Sequence, residues 1–286
     1  MSAVCRLRWL AGILVAAPLV AQTPAPALSL NHLRVVIDSA TFHEIAMSPF
    51  ILKGLSGVEA RAGSITIYGR HTWLEIVAPT GAAGSHVGDV SLALALEKPG
   101  AIDQLARHLA ATSIPFDTAT RTLVDSAGTT PWYRELRASG ADSTSTHAAF
   151  WVMEYTLAMT QRIDRQDHYG TEDRMRDRFI ATHFDSLRLL SDVTGATLAL
   201  PAGDIAKLSR TLAQWGVPVF PEGEGAVIQI PGFLLHLLPA WERPGVRRLT
   251  LSLTDEASGD PTYRFGPYGQ LRFGPGRVAV WDFSQP

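Results

Sequence analysis

The sequence predicts an α+β fold built from repeated β-α-β-β-β units in two lobes, the last unit degenerate. Three observations predict it. Residues 30–37 alternate in polarity and are rich in β-branched side chains, the signature of a half-buried strand. A short helical stripe follows at once: Thr41 and Glu44 have capping-box spacing, and Phe42, Ile45 and Ala46 form an apolar edge before Pro49. The same strand-helix-strand order then restarts near Asp89 and again near Val193.

In the first unit Asp38 and Ser39 end the opening strand, and extended pieces are expected at 58–61, 64–68 and 72–77, separated by Gly63 and Gly69. The second unit opens with a strand at 89–97. Pro99 and Gly100 turn the chain into a helix whose Ile102, Leu105, Ala106 and Leu109 fall on one face. A long irregular insertion containing Pro131 then leads to a closing strand at 150–156. In the third unit Asp204 caps a helix with Ile205, Leu208, Leu212 and Trp215 inward, and Gly216 stops it. Strands at 226–230 and 233–238 follow. The last unit has strands at 248–253, 271–273 and 278–283, with too few residues between them for a comparable helix.

Residues 161–190 are dense in charges of both signs, and Glu172 and Arg176 are spaced to pair across one helical turn. Such a run is expected to be a solvated helical linker. The expected organisation is therefore a signal peptide at 1–21, a flexible leader at 22–29, a paired-module lobe at 30–160, a charged helical linker at 161–190 and a second, degenerate lobe at 191–286. The signal reading rests on Arg6 and Arg8, an apolar run over 9–17 that is too short to cross a bilayer, and small residues before a cleavage point after Ala21. It implies a periplasmic or secreted protein that is soluble once the signal is removed.

Composition narrows the chemistry. The only cysteine, Cys5, lies in the signal, so the mature chain has no disulfide, no cysteine metal site and no cysteine nucleophile. The formal charge of −2, with no basic stripe, argues against nucleic acid and anionic membranes as partners. The expected partner is a small molecule; the sequence is silent on oligomeric state. His43-Glu44-Ile45-Ala46-Met47 begins like a zinc-protease helix but has Met where the second His must stand. Residues 54–58 lack the glycine spacing of a nucleophile elbow, and no Walker A or GxGxxG run is present.

Leu30-Asn31-His32-Leu33-Arg34-Val35-Val36-Ile37-Asp38 and Tyr68-Gly69-Arg70-His71-Thr72-Trp73-Leu74-Glu75-Ile76, together with Ser48-Pro49-Phe50, resemble the opening and closing strands of a module of the vicinal oxygen chelate (glyoxalase/bleomycin-resistance) superfamily, within an uncharacterised glyoxalase-like family. The resemblance implies paired modules closing a cleft. It further implies a divalent metal, Zn, Fe, Mn or Ni, held by residues on the first and last strands of each module. Carried onto this chain it gives His32, Glu75 and Glu154 as metal ligands, with Glu75 and Glu154 also catalytic. The fourth position falls on Ser91, a poor ligand, which leaves three ligands and an open site.

Strand alternation places His32, Arg34 and Val36 on one face, and Glu75 with Trp73 and Val77. Ser91, Ala93 and Ala95 leave space that either a ligand or the insertion could fill. Arg34, Trp132, Tyr133 and Arg134 are candidate substrate-binding residues, the last three as a lid; the plainer alternative is that those aromatics pin the loop. In the C-terminal half Gly195 and Leu235 stand at the ligand positions, with His236 one residue out of phase, so that half reads as scaffold. The leading expectation is a metal-dependent enzyme of lyase, isomerase or dioxygenase type acting on a small oxygen-bearing molecule. The alternatives are a non-catalytic small-molecule-binding or sequestering protein and an exported interaction domain.

Overall fold

The computed structural model describes residues 25–80, 86–111, 115–126, 128–139, 147–167, 175–240, 243–257, 259 and 261–283, with side chains at 164–167 outside the description. The signal reading and Glu172 lie outside the described residues. No helix among them is long and apolar enough to cross a membrane.

The first module is β1 (Ser29–Val36), α1 (Ser39–Met47), β2 (Gly57–Arg61), β3 (Ser64–Tyr68) and β4 (Trp73–Val77), with a π-helical turn at Ile51–Leu55. The second is β5 (Val90–Ala95), α2 (Ala101–Leu109), β6 (Phe116–Asp125), β7 (Gly128–Ala138) and β8 (Ala148–Tyr155). The two combine into an eight-stranded sheet of order β2-β3-β4-β1-β5-β8-β7-β6. The expected irregular insertion is instead a long hairpin, β6 and β7, which completes the second module. Its many exposed residues and Pro131 on the edge pair conceal the strand pattern.

Two helices, α3 (Leu157–Asp167) and α4 (Met175–Ala181), lead to the second half. There β9 (Leu190–Leu200), α5 (Ala202–Gln214), β10 (Val219–Glu222), β11 (Gly225–Ile230) and β12 (Phe233–Pro239) make the third module. The fourth has β13 (Gly245–Leu253), β14 (Thr262–Phe265), β15 (Gly269–Phe273) and β16 (Val278–Asp282), and no helix among its described residues. The second sheet has the order β10-β11-β12-β9-β13-β16-β15-β14, the same plan as the first.

Helix starts differ in detail from expectation. Asp38, not Thr41, caps α1, accepting from Thr41 N at 2.9 Å. Asp204 lies inside the first turn of α5, which begins after Pro201.

One apolar face of each sheet joins a common core. Leu33, Val35 and Ile45 of the first lobe are in the same buried cluster as Leu198, Leu212 and Trp281 of the second. α1 lies against β14 of the fourth module. Gly266 N donates to Glu44 Oε2 at 2.7 Å, and a Cβ on Gly266, whose φ is +58°, would meet Thr41 at 2.7 Å. Phe50 stacks on Tyr263 with ring centroids 4.0 Å apart and meets Phe273 edge-on.

A second, smaller buried cluster occupies the opposite face of the first sheet. It consists of Ala93, Ala95, Trp151, Met153 and Tyr155, covered by Met159, Ile163 and Met175 from α3 and α4. The charged stretch is therefore not a solvated linker: its dispersed apolar residues roof the first sheet. Arg176 fastens it, with Nη1 donating to Leu30 O at 2.5 Å and Nε 2.9 Å from Glu97. Ala93 and Ala95 of β5 pack under these helices, an outcome that neither reading of their space names.

Candidate functional site

Between this roof and the sheet is a cavity of about 570 Å³, within the size range of small-molecule sites. His32 and Arg34 of β1 and Trp73 and Glu75 of β4 line one side. Trp132 and Tyr133 of β7 and Trp151 and Tyr155 of β8 line the other, and Phe179 and His183 come from above.

Two bulges set the composition of this wall. On β1 the register with β5 shifts between Leu30 and His32, so Asn31 is an extra residue. Leu30 and Leu33 therefore both enter the core, while the Asn31 side chain bonds to cavity residues. On β7 the register with β6 shifts so that Trp132 is extra, and Trp132 and Tyr133 both line the cavity. Arg134 consequently falls on the helix-bearing face, where it makes two bonds to Asp103 of α2, at 2.6 and 2.8 Å. Its assignment to substrate binding is corrected on that ground.

The same parity displaces Glu154. On β8 the cavity face carries Trp151, Met153 and Tyr155, and Glu154 is one residue out of phase. Its buried carboxylate accepts from Gly100 N at 3.0 Å and Ile102 N at 2.8 Å, satisfying the first turn of α2. Glu154 is thus a helix-capping residue and not a ligand or catalytic group. His32, Glu75 and Glu154 do not converge, and no cluster of three or more potential His, Cys, Asp or Glu ligands occurs among the described residues. The donors that remain suit a metal poorly: Glu75 is ion-paired with Arg34 at 3.4 Å, and Arg61 and Arg137 also stand in the lining.

Asn31, which alternation alone would place in the core, organises the site. Trp73 Nε1 can only donate, so the atom it meets at 3.1 Å is the Asn31 carbonyl oxygen. The amide nitrogen then donates to the Tyr155 hydroxyl at 3.3 Å. His32 Nδ1, 2.7 Å from the same carbonyl oxygen, must carry a proton, which leaves Nε2 as an acceptor. His32 stacks on Trp73 at 3.8 Å and meets Trp151 edge-on at 5.4 Å. Burial, with a smaller push from Arg34, lowers its pKa to about 3, so the ring is neutral across ordinary pH. Burial also raises Glu75, against the pull of Arg34 and Arg61. The arrangement offers flat walls, guanidinium groups paired with carboxylates, Arg34 with Glu75 and Arg61 with Glu59, and the neutral His32 imidazole.

Paired β-α-β-β-β modules with a cavity on the sheet face away from the helices make up a fold of the vicinal oxygen chelate, glyoxalase-like type. The chain belongs to the DUF5829 family, a family of unknown function, which it matches over residues 30–283. Among solved structures it is similar to a hypothetical protein from Staphylococcus aureus, at 9% identity and a TM-score of 0.51, over 83% of this chain and 95% of that one. At that identity the likeness is one of fold. It is also similar, at a TM-score of 0.43 and 11% identity, to a Mn(II)-bound glyoxalase from Novosphingobium aromaticivorans, over 87% of this chain and 80% of that one. A homoprotocatechuate 2,3-dioxygenase from Brevibacterium fuscum matches at 0.42 and 12% over 75% of this chain, which spans 61% of the dioxygenase. No curated protein sequence matches the chain.

Proposed function

We propose that this chain is an exported small-molecule-binding protein whose site is the cavity of the first lobe, and that the site works without a resident metal. The observation that carries this reading is the cavity itself: about 570 Å³, walled by Trp73, Trp132, Trp151 and Tyr155, with His32 held in one tautomer by Asn31. Aromatic walls with a few placed polar groups are the usual construction of a small-ligand site. Export is supported by the charged start, the short apolar run and the small residues before Gln22.

The test uses protein recovered from its native source. A mature N-terminus at Gln22 is expected, and an intact Met1 in a membrane fraction would sink the export reading. After dialysis against a chelator, the protein should still bind a neutral naphthylamine fluorophore and should lose it in Trp73→Ala. Stoichiometric transition metal that disappears in His32→Ala would overturn the metal-free site. Turnover of a bound molecule, abolished in His32→Gln, would instead make the protein an enzyme in which the Nε2 lone pair accepts a proton.

A further inference from the structure

We infer that two copies of this chain join edge to edge through β6, pairing antiparallel about a two-fold axis at Ala119. The inference is independent of what the cavity binds. β6 is the end strand of the first sheet and has no neighbour on its outer side among the described residues. It differs from the other end strands. β2, β10 and β14 have five, four and four residues, and β10 carries Pro221. β6 has ten residues, nearly all exposed, with neither Lys nor Pro among them. Short strands and Pro blunt an edge against pairing, whereas a long bare edge is a template for another strand.

One bond assigns the free backbone groups. Ser139 N donates to Pro115 O at 2.8 Å, in line with the β6–β7 register that sets Asp117 opposite Arg137. Bonded pairs in an antiparallel ladder recur at every second residue, so Asp117, Ala119 and Arg121 bond to β7. The break in register between Arg121 and Thr122 comes from the extra residue on β7 and leaves the alternation of β6 intact. The N–H and C=O groups of Phe116, Thr118, Thr120 and Thr122 therefore point outward.

Side chains select the occupant. Pairing about Ala119 sets Thr118 opposite Thr120 and Phe116 opposite Thr122, with about eight backbone hydrogen bonds, two for each facing pair. It also sets Asp117 of each copy opposite Arg121 of the other, at the positions where facing side chains stand closest. The Asp117 carboxylate has no ion pair or hydrogen bond among the described residues, and the Arg121 side chain is 53% exposed beyond its pair with Glu135. An axis at Arg121 sets that residue against itself and Asp117 against Asp125. One at Thr120 puts Asp117 opposite Leu123 and Arg121 opposite Ala119. An axis at Leu123 opposes Arg121 to Asp125, but over 121–125 only, and Asp125 already pairs with Arg162. The edge is thus complementary to a second copy of itself, and most fully in the register centred on Ala119.

The test reads oligomeric state and register in the full chain. Sedimentation velocity at about 50 μM should show a dimer. Thr120→Pro removes an outward N–H and no bond to β7, so it should stay folded by circular dichroism and become monomeric. Asp117→Lys sets like charges opposite each other and should raise the dissociation constant of the dimer about tenfold. Register is read by disulfide trapping in a Cys5→Ala background, which removes the one natural cysteine. Facing residues at a non-bonded position are about 4.5 Å apart at Cα, within disulfide reach, so Ala119→Cys should cross-link under mild oxidation. Val124→Cys, at a position 71% exposed but distant from the axis, should not. If Thr120→Pro unfolds, Asp117→Lys and the two cysteine variants decide. A monomer at that concentration overturns the inference and leaves the edge to a strand of another protein. A dimer that Thr120→Pro and Asp117→Lys leave intact overturns it as well and puts the contact elsewhere. Trapping at Val124 instead of Ala119 overturns the register.

Discussion

The two lobes share one strand plan and use it differently. In the first, the sheet face away from α1 and α2 is roofed by α3 and α4 and encloses a cavity lined with aromatic rings. In the second, the corresponding face lies open: Leu234 and Leu238 on β12 are 45% and 43% exposed, and Arg248 and Arg272 pair with Asp282 across neighbouring strands. The difference lies outside the sheets. One chain has folded the same scaffold twice, with bulges in both sheets, and among the described residues the aromatic-lined cavity lies in the copy that the intervening helices cover. A site in this fold is therefore made above all by what covers the sheet, while the sheet itself supplies position.

The comparison breaks most sharply at Arg176. Its side chain is 11% exposed and joins the roof to the first sheet through Leu30 O and Glu97. Arg176→Ala removes the ion pair with Glu97 and the bond to Leu30 O together, so a stability loss of about 3 kcal/mol is expected in urea unfolding. Hydrogen exchange should show the loss in 157–181 and on β8, with β9–β16 unchanged; equal loosening of both lobes would mean that the roof is not a separate element of the first.

A smaller effect is expected at Glu154. Glu154→Ala removes both acceptors from the first turn of α2 and should lower stability by about 1–2 kcal/mol. Fluorophore affinity should be unchanged, because the carboxylate is on the helix-bearing face. A variant of normal stability that no longer binds would return Glu154 to the site. The least effect belongs to the open face: Asp282→Asn weakens its pairs with Arg248 and Arg272, whose side chains are about half exposed. The expected loss in thermal unfolding is about 0.5 kcal/mol, and a loss several times larger would show that the open face contributes to stability as much as the roofed one.

Much of the architecture was legible because alternation and helical periodicity hold through most of the chain. The strand at β1, the inward face of α2 and α5, and the missing fourth helix all follow from spacing. Side-chain parity failed where a bulge broke the period. Alternation puts Asn31 in phase with the buried Leu33 and Val35, and the bulge makes it instead the group that fixes the His32 tautomer; Trp132 and Tyr133 share a face that alternation cannot give them. Glu154 was paired with Glu75 by its place near a strand end, one residue off in phase. The roof was hidden for another reason: Met159, Ile163, Met175 and Phe179 are scattered among charges, so their common direction appears only when the sheet lies beneath them.

The position of α1 against β14 bears on how the chain reaches this form as it is made. Phe50 and the outer side of α1 belong to the first 50 residues, but Tyr263, Phe265 and Phe273 that cover them lie in the final stretch. A nascent chain can pair β1 to β8 early, yet it carries a bare aromatic edge on its first helix until synthesis has nearly ended. The two lobes are in this sense not independent in time. α1 must wait for the latest strands, and the 42–50 edge stays uncovered until they are made.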